Sequence, residues 1–141
     1  MIRKRNAGFT LIELLLVLAI MGIISGIAIP AYLSQRHRAR LIGDAQANAQ
    51  VLRMQLETYK ADNGVYGVAG TSYTWTASSA PTGSAGLALN FNIKNNSKMN
   101  YVVVIGSSQL TYNLSVIDPS LGAGYVVYTT NQNGSGHITP Y

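Results

Sequence analysis

Arg3-Lys4-Arg5-Asn6-Ala7-Gly8-Phe9-Thr10-Leu11-Ile12-Glu13-Leu14 decides how the chain is read: a basic leader, a glycine, then an apolar run over residues 9–29 holding one carboxylate. A helix of that length covers roughly 30 Å, the thickness of a bilayer's hydrocarbon core. A secretory signal peptide also starts with basic residues, but its apolar stretch is roughly 7 to 15 residues and ends at a small-x-small site. Here Glu13 interrupts the early part of the run, and Ile29-Pro30-Ala31 is a poor site of that kind. A plain membrane anchor satisfies the length and leaves Glu13 unexplained, and charges inside a span usually mark function.

The same twelve residues resemble the class III signal of type IV pilins and type II secretion pseudopilins. That resemblance implies cleavage by a membrane prepilin peptidase between Gly8 and Phe9, and methylation of the new N-terminus at Phe9. It also implies that Glu13 sets subunit assembly, its carboxylate compensating the Phe9 ammonium on its own chain or on the next subunit of a filament. The plainer alternative is an interfacial glutamate tolerated by the helix dipole.

Downstream, Gly22, Gly26 and Pro30 interrupt good helix-forming sequence and mark the candidate break in the helix, because glycine and proline both penalise an α-helical backbone. In the family, a Gly and a Pro matching Gly22 and Pro30 bracket a segment that loses helicity in assembled filaments. Small residues also serve close helix packing in lipid, and both uses are open. Beyond Pro30, Ile42, Ala45, Ala49, Leu52, Leu56 and Tyr59 recur at spacings of 3 and 4, the stripe of an amphipathic helix. Gln46, Gln50, Arg53, Glu57 and Lys60 occupy the other face, with Arg53 and Glu57 spaced to pair weakly. The cluster Arg36-His37-Arg38-Ala39-Arg40 reads either as a phosphate contact to DNA or phospholipid, or as a solvated stretch facing acidic groups of neighbouring subunits; the second is preferred, since no nucleic-acid module accompanies it.

Ala61-Asp62-Asn63-Gly64 supplies a helix stop. The stretch from Tyr59 to Tyr66 resembles the helix exit of pilins and of the major pseudopilin, although Gly67 stands where that relation usually has Pro. Residues 68–86, rich in Gly, Ser, Thr and Ala, read as a loop with Trp75 as its anchor. Four strand candidates follow: 87–93, 101–105, 110–116 and 125–129, with Gly106-Ser107-Ser108 as a hairpin turn and 118–124 as a wider connection. Helix first and strands after give an α+β fold, a long N-terminal helix packed on a roughly four-stranded antiparallel sheet. The organisation expected is a leader at 1–8, a transmembrane and filament-core helix at 9–30, the amphipathic half at 31–60, a loop at 61–86, and the sheet and C-terminal region at 87–141.

The chain has 141 residues, 48% of them hydrophobic and 11% charged, which suits one domain with an anchor. Its formal charge of +5 falls to seven basic against five acidic side chains once Arg3, Lys4 and Arg5 are removed, so basicity reports topology rather than nucleic-acid binding. Cysteine is absent, which leaves no disulfide to close residues 131–141, as many pilins do. The major pseudopilin uses calcium there; calcium takes six to eight oxygens, and beyond Asp62 the only acidic side chain is Asp118. No metal site, cofactor or catalytic constellation is expected: the only imidazoles, His37 and His137, lie far apart in sequence, and no phosphate-binding loop is present. The N-x-S/T triplets at Asn95, Asn113 and Asn133 are expected by chance.

The resemblance therefore implies a structural subunit, not an enzyme. It would be held in the bacterial inner membrane as a precursor, cut by the prepilin peptidase, and polymerised by an inner-membrane assembly platform into a homo-oligomeric helical filament, a type IV pilus on the cell surface. Motility, adhesion or DNA uptake is the family's use of such a filament, with nucleic acid a partner only through it. The alternatives are a type II secretion pseudopilin, a minor pilin, and an anchored exported protein that never polymerises.

Overall fold

The structure, a computed structural model, describes residues 8–76, 89, 91, 98–122 and 124–139. One α-helix, α1, runs from Leu11–Asn63. Five strands follow: β1 (Ser72–Trp75), β2 (Asn100–Ile105), β3 (Tyr112–Ile117), β4 (Val126–Asn131) and β5 (Gly136–Ile138). They form a single antiparallel sheet in sequence order. The chain divides into two compact units, Met1–Arg38 and Ala39–Tyr141.

Within the first unit, the described helical residues are exposed on every side, Leu11 at 76% and Ile27 at 73% among them. A helix that is apolar all round is stable only in lipid or among other helices. The helix is continuous through Gly22, Gly26 and Pro30.

In the second unit, α1 buries Ala45, Ala49, Leu52 and Leu56 against the sheet, the stripe that the 3-and-4 spacing predicts. Ile42 and Tyr59 at its ends are half-buried, and Asn48, whose Nδ2 donates to the Asp44 carbonyl, joins the buried face. The sheet answers with alternate residues: Tyr73 and Trp75 of β1, Tyr101, Val103 and Ile105 of β2, and Tyr112, Leu114 and Val116 of β3. Alternation fails once, at Val127 and Tyr128 of β4, both buried. There Val116 pairs with Tyr128 while Ile117 pairs with Val126, a β-bulge that inserts Val127 and breaks the alternation of the strand. Trp75, Phe91 and Tyr101 pack edge to face, with ring centroids 6.0 and 5.4 Å apart.

The helix stops as expected. Gly64 takes φ +80°, its N–H donates to the Lys60 carbonyl at 2.7 Å, and Asn63 Nδ2 donates to the Tyr59 carbonyl. The C-terminal region closes without a covalent bond. β5 pairs with β4, the Thr139 N–H donates to the Val127 carbonyl, and the Tyr112 N–H reaches across to Gln132 Oε1. At Gly134, φ is +80° and a Cβ would stand 3.2 Å from Arg53 Nη2, so the loop before β5 lies directly on the helix.

The sheet has five strands rather than about four, and β1 and β5 lie outside the four sequence candidates. Residues 72–75, read as loop because Ser, Thr and Gly surround them, form β1, where Tyr73 and Trp75 supply the alternating inward side chains. Trp75 does anchor the segment to the core, at 1% exposure. β5, short and wholly exposed, carries no apolar alternation to announce it. The strand expected over 87–93 falls mostly outside the described residues; Leu89 and Phe91 are buried but are not in a strand, since alternation reports burial and not pairing. The strand expected from Leu110 starts at Tyr112. Leu110 is exposed, because the turn extends through Gln109 at φ +60° to the bond between the Gly106 N–H and the Thr111 carbonyl.

Candidate functional site

The first helical turn carries the site. Thr10 stands at the N-cap: its carbonyl accepts from the Leu14 N–H, the first intrahelical bond. Its Oγ1 accepts from the Glu13 N–H at 3.3 Å, and Glu13 Oε2 accepts from the Thr10 N–H at 2.8 Å and from the Thr10 hydroxyl at 2.7 Å. This is a reciprocal capping box, a Thr-x-x-Glu spacing that satisfies amide donors otherwise orphaned at a helix start. Its signal stands in the sequence, yet attention to Glu13 as an isolated charge overlooks Thr10.

The arrangement fixes the carboxylate one turn from Phe9, at the positive end of the helix dipole. Both bonds from Thr10 go to Oε2. A carboxylate accepts about four hydrogen bonds, so capacity remains for an ammonium. Gly8, Phe9, Thr10 and Glu13 are all exposed. Nothing within 4 Å crowds Gly8, Gly22 or Gly26. Arg36, His37, Arg38 and Arg40 are likewise exposed on the helix. The apolar part of α1 is long enough and apolar enough to cross a membrane, by length and composition.

A second polar cluster belongs to the other unit. The Tyr66 hydroxyl lies 2.8 Å from both carboxylate oxygens of Glu57, with Lys60 Nζ 4.6 Å from the Tyr66 ring centroid. Tyr66 packs edge-on to Tyr112 at 4.7 Å. Burial, then the hydrogen bond to Glu57, pushes the Tyr66 phenol above its ordinary range; burial does the same to Tyr112, with Arg53 beside it acting the other way. Arg53 Nη1 donates to Gln50 Oε1 at 2.8 Å, and Glu57 serves Tyr66, so this helix face is tied into the fold rather than left as a simple Arg–Glu pair. Asp118 is 4% exposed, and its Oδ1 accepts from the Ser120 N–H and hydroxyl, capping a 3-10 turn at Pro119–Leu121. Among the described residues no group of three or more His, Asp or Glu is placed to hold a metal.

A largely apolar N-terminal helix half, a glutamate tied into the cap of its first turn, and an antiparallel sheet on its second half together define a class: structural subunits with a pilin-like α+β fold. Residues 3–29 match the family model described as the prokaryotic N-terminal methylation motif. The type IV major pilin protein PilE of Neisseria gonorrhoeae is 30% identical over 129 residues, 91% of this chain and 70% of that protein. The type IV major fimbrial protein FimA of Dichelobacter nodosus is 29% identical over 74% of each chain. The type II secretion system core protein G of Pseudomonas aeruginosa is 33% identical over 64 residues, 45% of this chain and 44% of that protein. The chain thus spans less than half the length of the secretion protein. No solved structure matches. The chain belongs to the type IV pilin and type II secretion pseudopilin family, whose members are structural proteins rather than enzymes.

Proposed function

We propose that this chain is a prepilin, cut between Gly8 and Phe9, methylated on Phe9, and polymerised through residues 9–29 into a type IV pilus. The observation that carries this reading is the exposed apolar helix with Glu13 held in the Thr10 capping box. Such a helix needs lipid before assembly and sister helices afterwards. In a filament, the Glu13 carboxylate receives the Phe9 ammonium of the adjoining subunit, and a subunit out of step leaves both charges unmatched in an apolar surrounding. Gly22, Gly26 and Pro30 form the segment free to unwind on packing, since neither glycine meets any neighbour and Pro30 gives up one backbone bond.

The main-pilin reading is favoured over a secretion pseudopilin by the long match to a major pilin and by Asp118, the one acidic side chain after Asp62, whose Oδ1 is taken up by Ser120. The pseudopilin reading keeps support from the match over 64 residues to the secretion protein. Prepilin peptidase and an inner-membrane assembly platform are the implied partners. Mass spectrometry of the mature N-terminus tests the proposal: a methylated Phe9 start is expected, and a start at Met1 or beyond Ala31 overturns it. Abundance of the chain in sheared surface filaments separates pilin from pseudopilin.

A further inference from the structure

The helix does not begin where the apolar run begins. Phe9 opens the run, yet residues 8–10 lie outside the helix and α1 starts at Leu11. Thr10 stops it there. Its N–H, which one more turn of helix would direct at the Asn6 carbonyl, is taken by Glu13 Oε2, and its Oγ1 accepts from the Glu13 N–H. Packing does not fix the start: Gly8, Phe9 and Thr10 are all exposed, and a Cβ at Gly8 would meet nothing within 4 Å. Without the cap the sequence offers another start one turn upstream, because Asn6 has cap chemistry and the Ala7 after it favours helix. A helix begun at Asn6 would take in both Gly8 and Phe9, the two sides of the bond that leader removal cuts. A peptide bond wound into a helix is shielded by its neighbouring turns, and proteolysis follows the population in which the bond stands open.

We propose that Thr10 is a specificity determinant of leader removal: its capping box pins the helix start just past the Gly8–Phe9 bond and so keeps that bond out of the helix for the prepilin peptidase. Thr10 acts as a positioning residue, through where the helix stops and not through a contact with the peptidase. The proposal rests on the prepilin reading above and adds to it a residue that governs processing as well as one that governs assembly.

The full-length chain in detergent is incubated with purified prepilin peptidase, and loss of residues 1–8 is followed by mass spectrometry. Thr10→Val keeps the shape of the side chain and removes the cap, which shifts the choice of helix start by about fivefold, the equilibrium equivalent of about 1 kcal/mol for a lost N-cap. A substrate whose competent form is scarcer shows a proportionally weaker apparent affinity, so KM should rise about two- to fivefold with kcat unchanged. Thr10→Ser keeps the cap and should restore the parent KM. Combining Thr10→Val with Asn6→Ala removes the upstream start as well, and KM should return to that of Asn6→Ala alone. In micelles, the Phe9 Cα chemical shift should move toward the helical value in Thr10→Val and back in the double variant. A Thr10→Val chain cut like the parent overturns the proposal. So does a defect that Asn6→Ala leaves in place, which would mean that the peptidase reads the hydroxyl itself, and so does a raised KM with no change at Phe9. A parent chain that the peptidase does not cut between Gly8 and Phe9 overturns the prepilin reading, and this proposal with it.

Discussion

Leu52 tests whether the amphipathic half of α1 is seated as described. It is fully buried, in contact with the sheet's inward face, on the same helix as Met54, which is 66% exposed. Leu52→Ala removes three carbons from a packed site, and such changes cost about 2–5 kcal/mol, the upper part of that range applying where the surroundings cannot collapse. Collapse is hindered here because the neighbours at Ala45 and Ala49 are already methyl-sized and the facing sheet is held by ladder bonds on both sides of β2 and β3. A loss of about 3–5 kcal/mol is therefore expected. For a domain of this size each kcal/mol lowers the melting temperature by about 4 °C, giving a drop of about 12–20 °C. Met54→Ala should stay within about 0.5 kcal/mol of the parent. Urea unfolding of the detergent-solubilised chain, followed by tyrosine and tryptophan fluorescence, measures both, since Trp75 is 1% exposed and reports on the core. Equal midpoints for Leu52→Ala and Met54→Ala would refute the seating of the helix on the sheet.

Glu13→Gln retains a side chain able to complete the capping box but loses the charge, so filaments are expected to disappear while the membrane pool persists; Thr10→Val keeps the charge and loses the box, and should reduce filaments only in part, both read by immunoblot of sheared and membrane fractions. A Thr10→Val loss as complete as that of Glu13→Gln would make the local box, not the charge, the determinant. The raised phenols of Tyr66 and Tyr112 set an alkaline limit: in the unfolded chain they ionise near pH 10, in the folded chain only above it, so their stabilisation is complete below about pH 10 and is lost as pH climbs through the folded values. Denaturation midpoints measured against pH should fall in that window, and fall less steeply in Tyr66→Phe. Gly136→Ala would drive a Cβ into the Tyr128 ring and hydroxyl and should destabilise the β4–β5 hairpin by about 1–3 kcal/mol, measurable as lost hydrogen-exchange protection at Thr139.

The helix was legible because its two halves announce themselves by different means, unbroken apolarity over 9–29 and a 3-and-4 stripe from Ala45 to Leu56. The three longer inner strands were legible to within one or two residues at each end, β3 by alternation and β2 as a continuous β-branched run. β1 and β5 were not, since a four-residue strand of Ser, Tyr, Thr and Trp and a three-residue exposed one of Gly, His and Ile hold too few apolar residues for a period to emerge. The bulge at Val127 depends on which residue of β4 faces which of β3, a property of two strands that neither displays alone. At the site, Glu13 stood out as the lone charge in its run, whereas Thr10 needed the geometry: a threonine among apolar residues carries meaning only once its hydroxyl is seen between the Glu13 amide and carboxylate. Tyr66 and Glu57, nine residues apart across a helix end, meet only because Gly64 reverses the chain.

The apolar nakedness of α1 before Pro30 has a consequence for how the subunit changes places. Fourteen large hydrophobic side chains, from Phe9 to Ile29, stand uncovered by their own fold. At about 1.5–3 kcal/mol for each, wetting them all would cost about 20–40 kcal/mol. Under the proposed assembly there can be no free-swimming stage. Every residue that leaves lipid has to find another helix at the same moment, so extraction and polymerisation are two descriptions of one sliding step.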